Sequence, residues 1–198
     1  MGEYTDAVRR ERATELERLG SDRGLIALTG ADLSATGIRR AVAAGDLAVA
    51  DVVASWDDED FAAAAGTIRE QAAELSAPLD ESVAAAPEDP VAAALASQKS
   101  FPERAGAAFV GYPLVADGRY LQAVSFFVNE ADDDAAAAFR SARDGAQSLQ
   151  DRGGERLGAL DDAESEAAVG AAIDVVDAAY AWYVETLEGM GLDPKTVC

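Results

Sequence analysis

Apolar positions recur at helical spacing along most of the chain. Over residues 38–56 they fall at Ile38, Val42, Gly45, Val49, Val52 and Trp56, at intervals of 4, 3, 4, 3 and 4. That rhythm is the seam of a helix packed at a shallow angle against others. The next helix repeats it at Phe61, Ala65, Ile68, Ala72, Leu75 and Leu79, after an acidic cluster, Asp57–Asp60, that suits a turn and a negative first turn. Upstream, the pattern predicts a helix over about 4–19 stopped by Gly20, then a turn at Asp22–Gly24. A short apolar piece, LIAL at 25–28, ends at Gly30, and Asp32 or Ser34 is placed to cap the helix that follows.

Downstream, Asp89-Pro90 reads as an N-cap followed by proline at the first helical position. Pro102 and Pro113 predict breaks or kinks within 90–129, because proline lacks an N–H and its ring clashes with the preceding turn. Asp117-Gly118 is a second expected interruption. Beyond it Leu121, Val124 and Val128 continue an apolar face that Phe126 and Phe127 widen. A helix starting at 131–134 carries Phe139, Ala142, Ala146 and Leu149 and is expected to fade near Gly153-Gly154. The last helix starts near Asp161, holds Val169, Ile173, Val176, Tyr180, Tyr183 and Leu187 on one stripe, and stops at Gly189 and Gly191. No alternating β-branched run lies between turn dipeptides, so no strand is predicted. The expectation is one all-α domain over 1–198, an antiparallel helical bundle. Its core bundle covers about 34–157, with extra helices at about 4–19 and about 161–190.

Composition sharpens that picture. Alanine supplies 46 of the 198 residues, which favours helix and allows close helix approach. There are 37 acidic and 16 basic side chains, for a net charge of −21, and the lysines are Lys99 and Lys195 alone. The acids share segments with periodic apolar residues, so they describe a folded acidic surface rather than a disordered tail. Such a surface suits molar salt, where the Debye length falls to about 3 Å. It argues against direct nucleic-acid binding, which relies on Lys/Arg neutralisation of phosphates. Arg9, Arg10, Arg12 and Arg18 alternate with Glu11, Glu15 and Glu17, as on a solvated helix face. The charged N-terminus lacks the apolar core of a signal peptide. The longest uncharged apolar-rich run, Ala105–Ala116, has 12 residues, where a span needs about 20. A soluble cytoplasmic protein without membrane contact is expected.

The chain contains no histidine, which excludes His-dependent triads, His-ligated zinc or haem, and a histidine base. Cys198 is the one cysteine, so an internal disulfide, a CxxC pair and a cysteine zinc cluster are excluded. Gly106 and Gly111 have the outer spacing of a phosphate loop, but Tyr112 stands where lysine is required; they read as close-packing points in a helix. Serines such as Ser125 have no base beside them. Asp132–Asp134 lacks the spacing and glycine of an EF-hand, which leaves an all-carboxylate calcium or magnesium site as the remaining metal option. No catalytic residue, cofactor or metal ligand is assigned, and no enzyme activity is expected. The candidate interaction surface is Trp182, Phe127 and Cys198. Trp182 lies on the side of its helix roughly opposite the stripe of 169, 173, 176 and 180, which fits a partner contact or a helix buried on two sides. Phe127 fits a contact or a broad core face. Cys198 fits an intermolecular or redox thiol, or an inert one.

The segment Glu103–Asp134, ERAGAAFVGYPLVADGRYLQAVSFFVNEADDD, and the ending YVETLEGMGLDPKTVC resemble a haloarchaeal family labelled rubrerythrin-like, that is, ferritin-like. The N-terminal RLGSDRGLIALTG, Arg18–Gly30, is similar too. Some members carry the label of transcription antitermination protein. The resemblance implies a ferritin-like bundle. In that class two irons are held by a Glu on each of two helices and a Glu-x-x-His on each of the other two. This chain departs from the pattern, since nothing completes Glu-x-x-His. Glu70 lies opposite the stripe of 61, 65, 68, 72 and 75 at ~100° per residue, and Asp46, nearer the edge of its own stripe, reads as one carboxylate without partners. The resemblance therefore implies an inherited fold without di-iron chemistry. Such a protein would act through a protein partner or self-association, with a regulatory, transcription-linked role by family label. A carboxylate-only di-metal oxidase or peroxidase and an apolar small-molecule carrier remain alternatives.

Overall fold

The computed structural model describes residues 2–195, and every regular element among them is a helix. The N-terminal stretch forms α1 (Glu3–Glu11) and α2 (Ala13–Leu19) rather than one rod. The backbone leaves the helix at Arg12, with φ −125° and ψ 34°, and the Arg12 guanidinium grips Asp177 with Nε–Oδ1 2.6 Å and Nη2–Oδ2 3.0 Å. That fork-on-carboxylate contact is specific in geometry, and the break positions it. The LIAL piece is the middle of α3 (Asp22–Thr29), so the turn expected at 22–24 is its first turn. Gly30, at φ 60°, ends α3 in the left-handed conformation that glycine tolerates.

Helices α4 (Ala35–Ala54) and α5 (Glu59–Ser76) follow the expected stripes. Ile38, Val42, Gly45 and Val49 are buried, as are Phe61, Ala65, Ile68, Ala72 and Leu75. The Ser34 hydroxyl accepts from the Gly37 N–H at 3.0 Å, and the Asp58 carboxylate accepts from the Asp60 N–H at 2.9 Å. Each satisfies an N–H that the first turn leaves orphaned. Near the end of α4 the buried position is Val53, and Val52 is half-buried. Asp89 caps α6 (Pro90–Ala96) with Pro90 in its first turn.

A long rod comes next: α7 (Phe101–Gly106), a π-helical turn at Ala107–Gly111, and α8 (Tyr112–Asn129). Pro102 causes no break, because it sits in the first turn behind a Ser100/Glu103 capping box. Pro113 would strike the carbonyl of Phe109 in a regular helix. The π-turn absorbs that clash, with the Tyr112 N–H donating to the Ala107 carbonyl five residues back. Asp117-Gly118, expected to interrupt the rod, does not. Asp117 takes Arg143 at 2.7 Å, and Gly118 backs onto Gly20, whose Cα lies 3.2 Å from where a Cβ at Gly118 would stand. Helix α9 (Asp133–Leu157) likewise runs past Gly153-Gly154, and Gly153 gives the Phe109 side chain its room. Helix α10 (Asp162–Gly189) starts with a capping box formed by Asp161 and Glu164.

Short connections make α4/α5 and α8/α9 antiparallel hairpins, and residues 77–100 carry the chain from one to the other. Phe61, early in α5, stacks on Phe109 at 5.5 Å. Arg39, early in α4, donates to the Leu75 carbonyl at the far end of α5 and lies 5.5 Å over the Phe127 ring late in α8. Helix α5 and the α7–α8 rod therefore run in the same direction, and the four-helix core is up-down-down-up with one long crossover. Helix α10 closes the side of this core with small residues. Ala168, Ala171 and Ala172 are buried, and a Cβ at Gly106 would collide with the Ala168 backbone. Of the stripe expected to face the core, Val176, Tyr183 and Leu187 are buried, while Val169, Ile173 and Tyr180 turn partly outward and are half-buried. By length and composition α10 could cross a bilayer, with a mean hydropathy of 1.3 over its most apolar window. Here that composition serves to pack it into the bundle.

Candidate functional site

Asp46 lies midway along α4, four residues after Val42 and three before Val49, and its side chain points into the bundle with no exposed surface. Two phenols meet it from α8. The Tyr112 hydroxyl donates to Asp46 Oδ1 at 3.1 Å, and the Tyr120 hydroxyl donates to Oδ2 at 2.8 Å. The hydroxyls lie 3.3 Å from each other. Tyr112 follows the π-turn directly, so the local widening of the helix sets the register from which it reaches α4.

Burial pushes the Asp46 carboxyl up to about 6, since the anion loses its water. The Arg119 charge and the two phenol hydrogen bonds oppose that rise, and Asp89 adds to it. Burial also holds both phenols well above their ordinary range, with the Asp46 charge adding to the effect, so they remain donors. The cluster can hold or release one proton at Asp46 near neutral pH.

The structure corrects the reading of Asp46 as a carboxylate without partners. It also tests the metal centre that a ferritin-like fold implies. Among the described residues no group of three or more acidic or cysteine side chains converges as a metal site. Both Asp46 oxygens are taken by phenols, and Glu70 faces solvent. One carboxylate and two neutral phenols do not fit a di-iron centre.

Beside Asp46, on the other face of Gly45, lies a cavity of about 200 Å³. Leu28, Ala44, Val115 and Trp182 form apolar walls, and Glu88, Asp89 and Arg119 bring charge to it. Gly45 is its floor: a Cβ there would stand 3.1 Å from Asp89 Oδ2 and 3.2 Å from Arg119 Nη1.

Trp182 is half-buried and walls this cavity beside Tyr183, packed with the small cluster of Ala27, Tyr183 and Leu187. Helix α10 is thus covered on a second side within the chain. Phe127 is no interaction surface. It is fully buried, stacked on Phe139 at 5.4 Å and covered by Arg39, whereas the rest of the expected face turns outward: Val124 and Phe126 are half-buried, and Leu121 and Val128 are exposed. Cys198 lies outside the described residues. Sequence reasoning missed Tyr112, Tyr120 and Arg119. A usable signal was present at Asp46, whose i−4 and i+3 neighbours are the stripe residues Val42 and Val49.

Fold and site together define an all-α helical bundle with a buried Asp–Tyr–Tyr cluster and an adjoining charged cavity. Set against protein-family models, curated proteins and solved structures, the chain matches none of them.

Proposed function

We propose that the chain is a non-catalytic bundle of ferritin-like descent that acts by binding rather than by chemistry. One observation carries this reading. Among the described residues, the core helices α4, α5, α7–α8 and α9 bury a single carboxylate, and both of its oxygens are engaged by phenols. The up-down-down-up order with one long crossover supports the descent, since ferritin-like bundles share that connection. A protein partner or a second copy of the chain is the binding partner. The regulatory, transcription-linked role rests on the family resemblance, and a halophile habitat is supported by the net charge of −21.

Metal analysis of protein purified in molar KCl tests the central point. Iron and manganese are expected well below one equivalent per chain, and two equivalents would overturn the reading. Circular dichroism tests the habitat. Helix content should fall as KCl drops well below ~1 M, as screening between carboxylates is lost. A second reading, carriage of a small molecule, is favoured by the cavity beside Gly45.

A further inference from the structure

Two opposite charges open onto the cavity beside Gly45 without pairing to each other. The Arg119 guanidinium makes no hydrogen bond and no contact ion pair among the described residues, although its charge acts on Asp46. Asp89 is 9% exposed; its Oδ1 accepts from the Ala92 N–H at 2.8 Å, while Oδ2 is turned toward Gly45. Asp89 is nearly buried with one oxygen free of any donor among the described residues, and Arg119 is half-buried, so both can take a ligand's charged groups. Here the two stand on either side of a glycine whose missing Cβ keeps the space between them open.

We propose that this cavity binds a free α-amino acid with a small or medium apolar side chain. Its carboxylate would meet Arg119, where a planar fork of donors matches a carboxylate. Its ammonium would meet Asp89, with Glu88 adding a second negative charge at the rim. Its side chain would lie against Leu28, Val115 and Trp182. Size supports the class. At about 200 Å³ the cavity is below the ~300–1,000 Å³ of pockets for drug-sized ligands, which suits an amino acid better than a nucleotide. Charge supports it too. A simple anion would face Asp89 and Glu88, a simple amine would face Arg119, and a zwitterion satisfies both.

The inference rests on the small-molecule reading, and calorimetry of the full chain in molar KCl separates the two. The probes are glycine, L-alanine, L-leucine and L-phenylalanine. Three analogues of leucine accompany them: 3-methylbutylamine without the carboxylate, 4-methylpentanoate without the ammonium, and neutral 3-methylbutan-1-ol. Saturable binding of leucine or alanine is expected, with each singly charged analogue at least about tenfold weaker, equivalent to about 1.4 kcal/mol. Arg119→Gln should weaken the amino acid at least as much. Gly45→Ala should abolish binding by placing a methyl group between Asp89 and Arg119, with circular dichroism showing that the helices stay folded. Equal binding of the alcohol and the amino acid would overturn zwitterion recognition and leave the small-molecule reading standing. No saturable binding of any probe would overturn both.

Discussion

The α7–α8 rod has two neighbours of opposite character. Against α10 it offers Gly106 and Gly111, and the seam closes backbone to backbone on alanines. Against α4 it offers Tyr112, Tyr120 and Arg119, and the seam holds a buried carboxylate and, beside it, open space. The first seam is defined by volume alone, and it tolerates nothing larger than hydrogen. The second is defined by hydrogen bonds and charge, and it contains the groups able to recognise something. Helix packing can thus be made strict on one side of a rod and adaptable on the other by residue size and polarity.

The strict seam should break most sharply. Gly106→Ala forces apart two backbones that leave no place for a methyl group, and about 3 kcal/mol or more of stability should be lost in a denaturant melt. Gly170→Ala on α10, where nothing lies within 4 Å, should instead raise stability by about 0.5–1 kcal/mol. Equal effects of the two would mean that the seam is not strict.

The polar seam should show itself through pH. Asp46 titrates near 6 in the folded protein and at about 3.9 in the unfolded chain, so the folded state binds the proton more tightly. Its stabilising contribution is therefore full below pH ~4 and is lost as pH rises through about 6. Asp46→Asn removes this titration. The stability of wild type relative to Asp46→Asn should fall by on the order of 3 kcal/mol between pH ~4 and pH ~7. A difference that stays flat over that range would show that Asp46 is not desolvated. Other carboxylates titrate in both proteins and cancel.

Single hydrogen bonds come next. Tyr120→Phe should cost about 1–3 kcal/mol at neutral pH, and Tyr112→Phe less, since its bond to Asp46 is 3.1 Å rather than 2.8 Å. The reverse order in thermal melts would place the stronger interaction at the π-turn. The smallest effect belongs outside both seams. Arg69 and Asp51 join α5 to α4 at 2.9 Å on exposed surface, and Arg69→Gln should change stability by less than about 1 kcal/mol. A larger loss would make surface ion pairs a real part of the fold.

Much of this architecture was legible along the chain. The stripes of α4 and α5, the Asp89-Pro90 start of α6 and the close packing at Gly106 and Gly111 all follow from spacing or from single residue properties. The misjudged places were those where a distant partner overrides a local weakness. Gly118 read as an interruption and Gly153 as the place where a helix fades, yet Gly20 and Phe109 pack onto them. Pro113 read as a break, yet one π-turn accommodates it. Phe127 could have faced outward until Phe139 and Arg39 covered it.

The amino-acid sequence by itself determined most of the helices and their caps, the acidic composition, and the lack of histidine chemistry and of an internal disulfide. These depend on contacts three or four residues apart or on composition. Only the tertiary structure decided that Asp46 has partners, because Tyr112 and Tyr120 lie 66 and 74 residues away along the chain. It also decided that Asp89 and Arg119 share a cavity. Periodicity places a residue on a face of its own helix, but which faces meet depends on how all the helices fill space together.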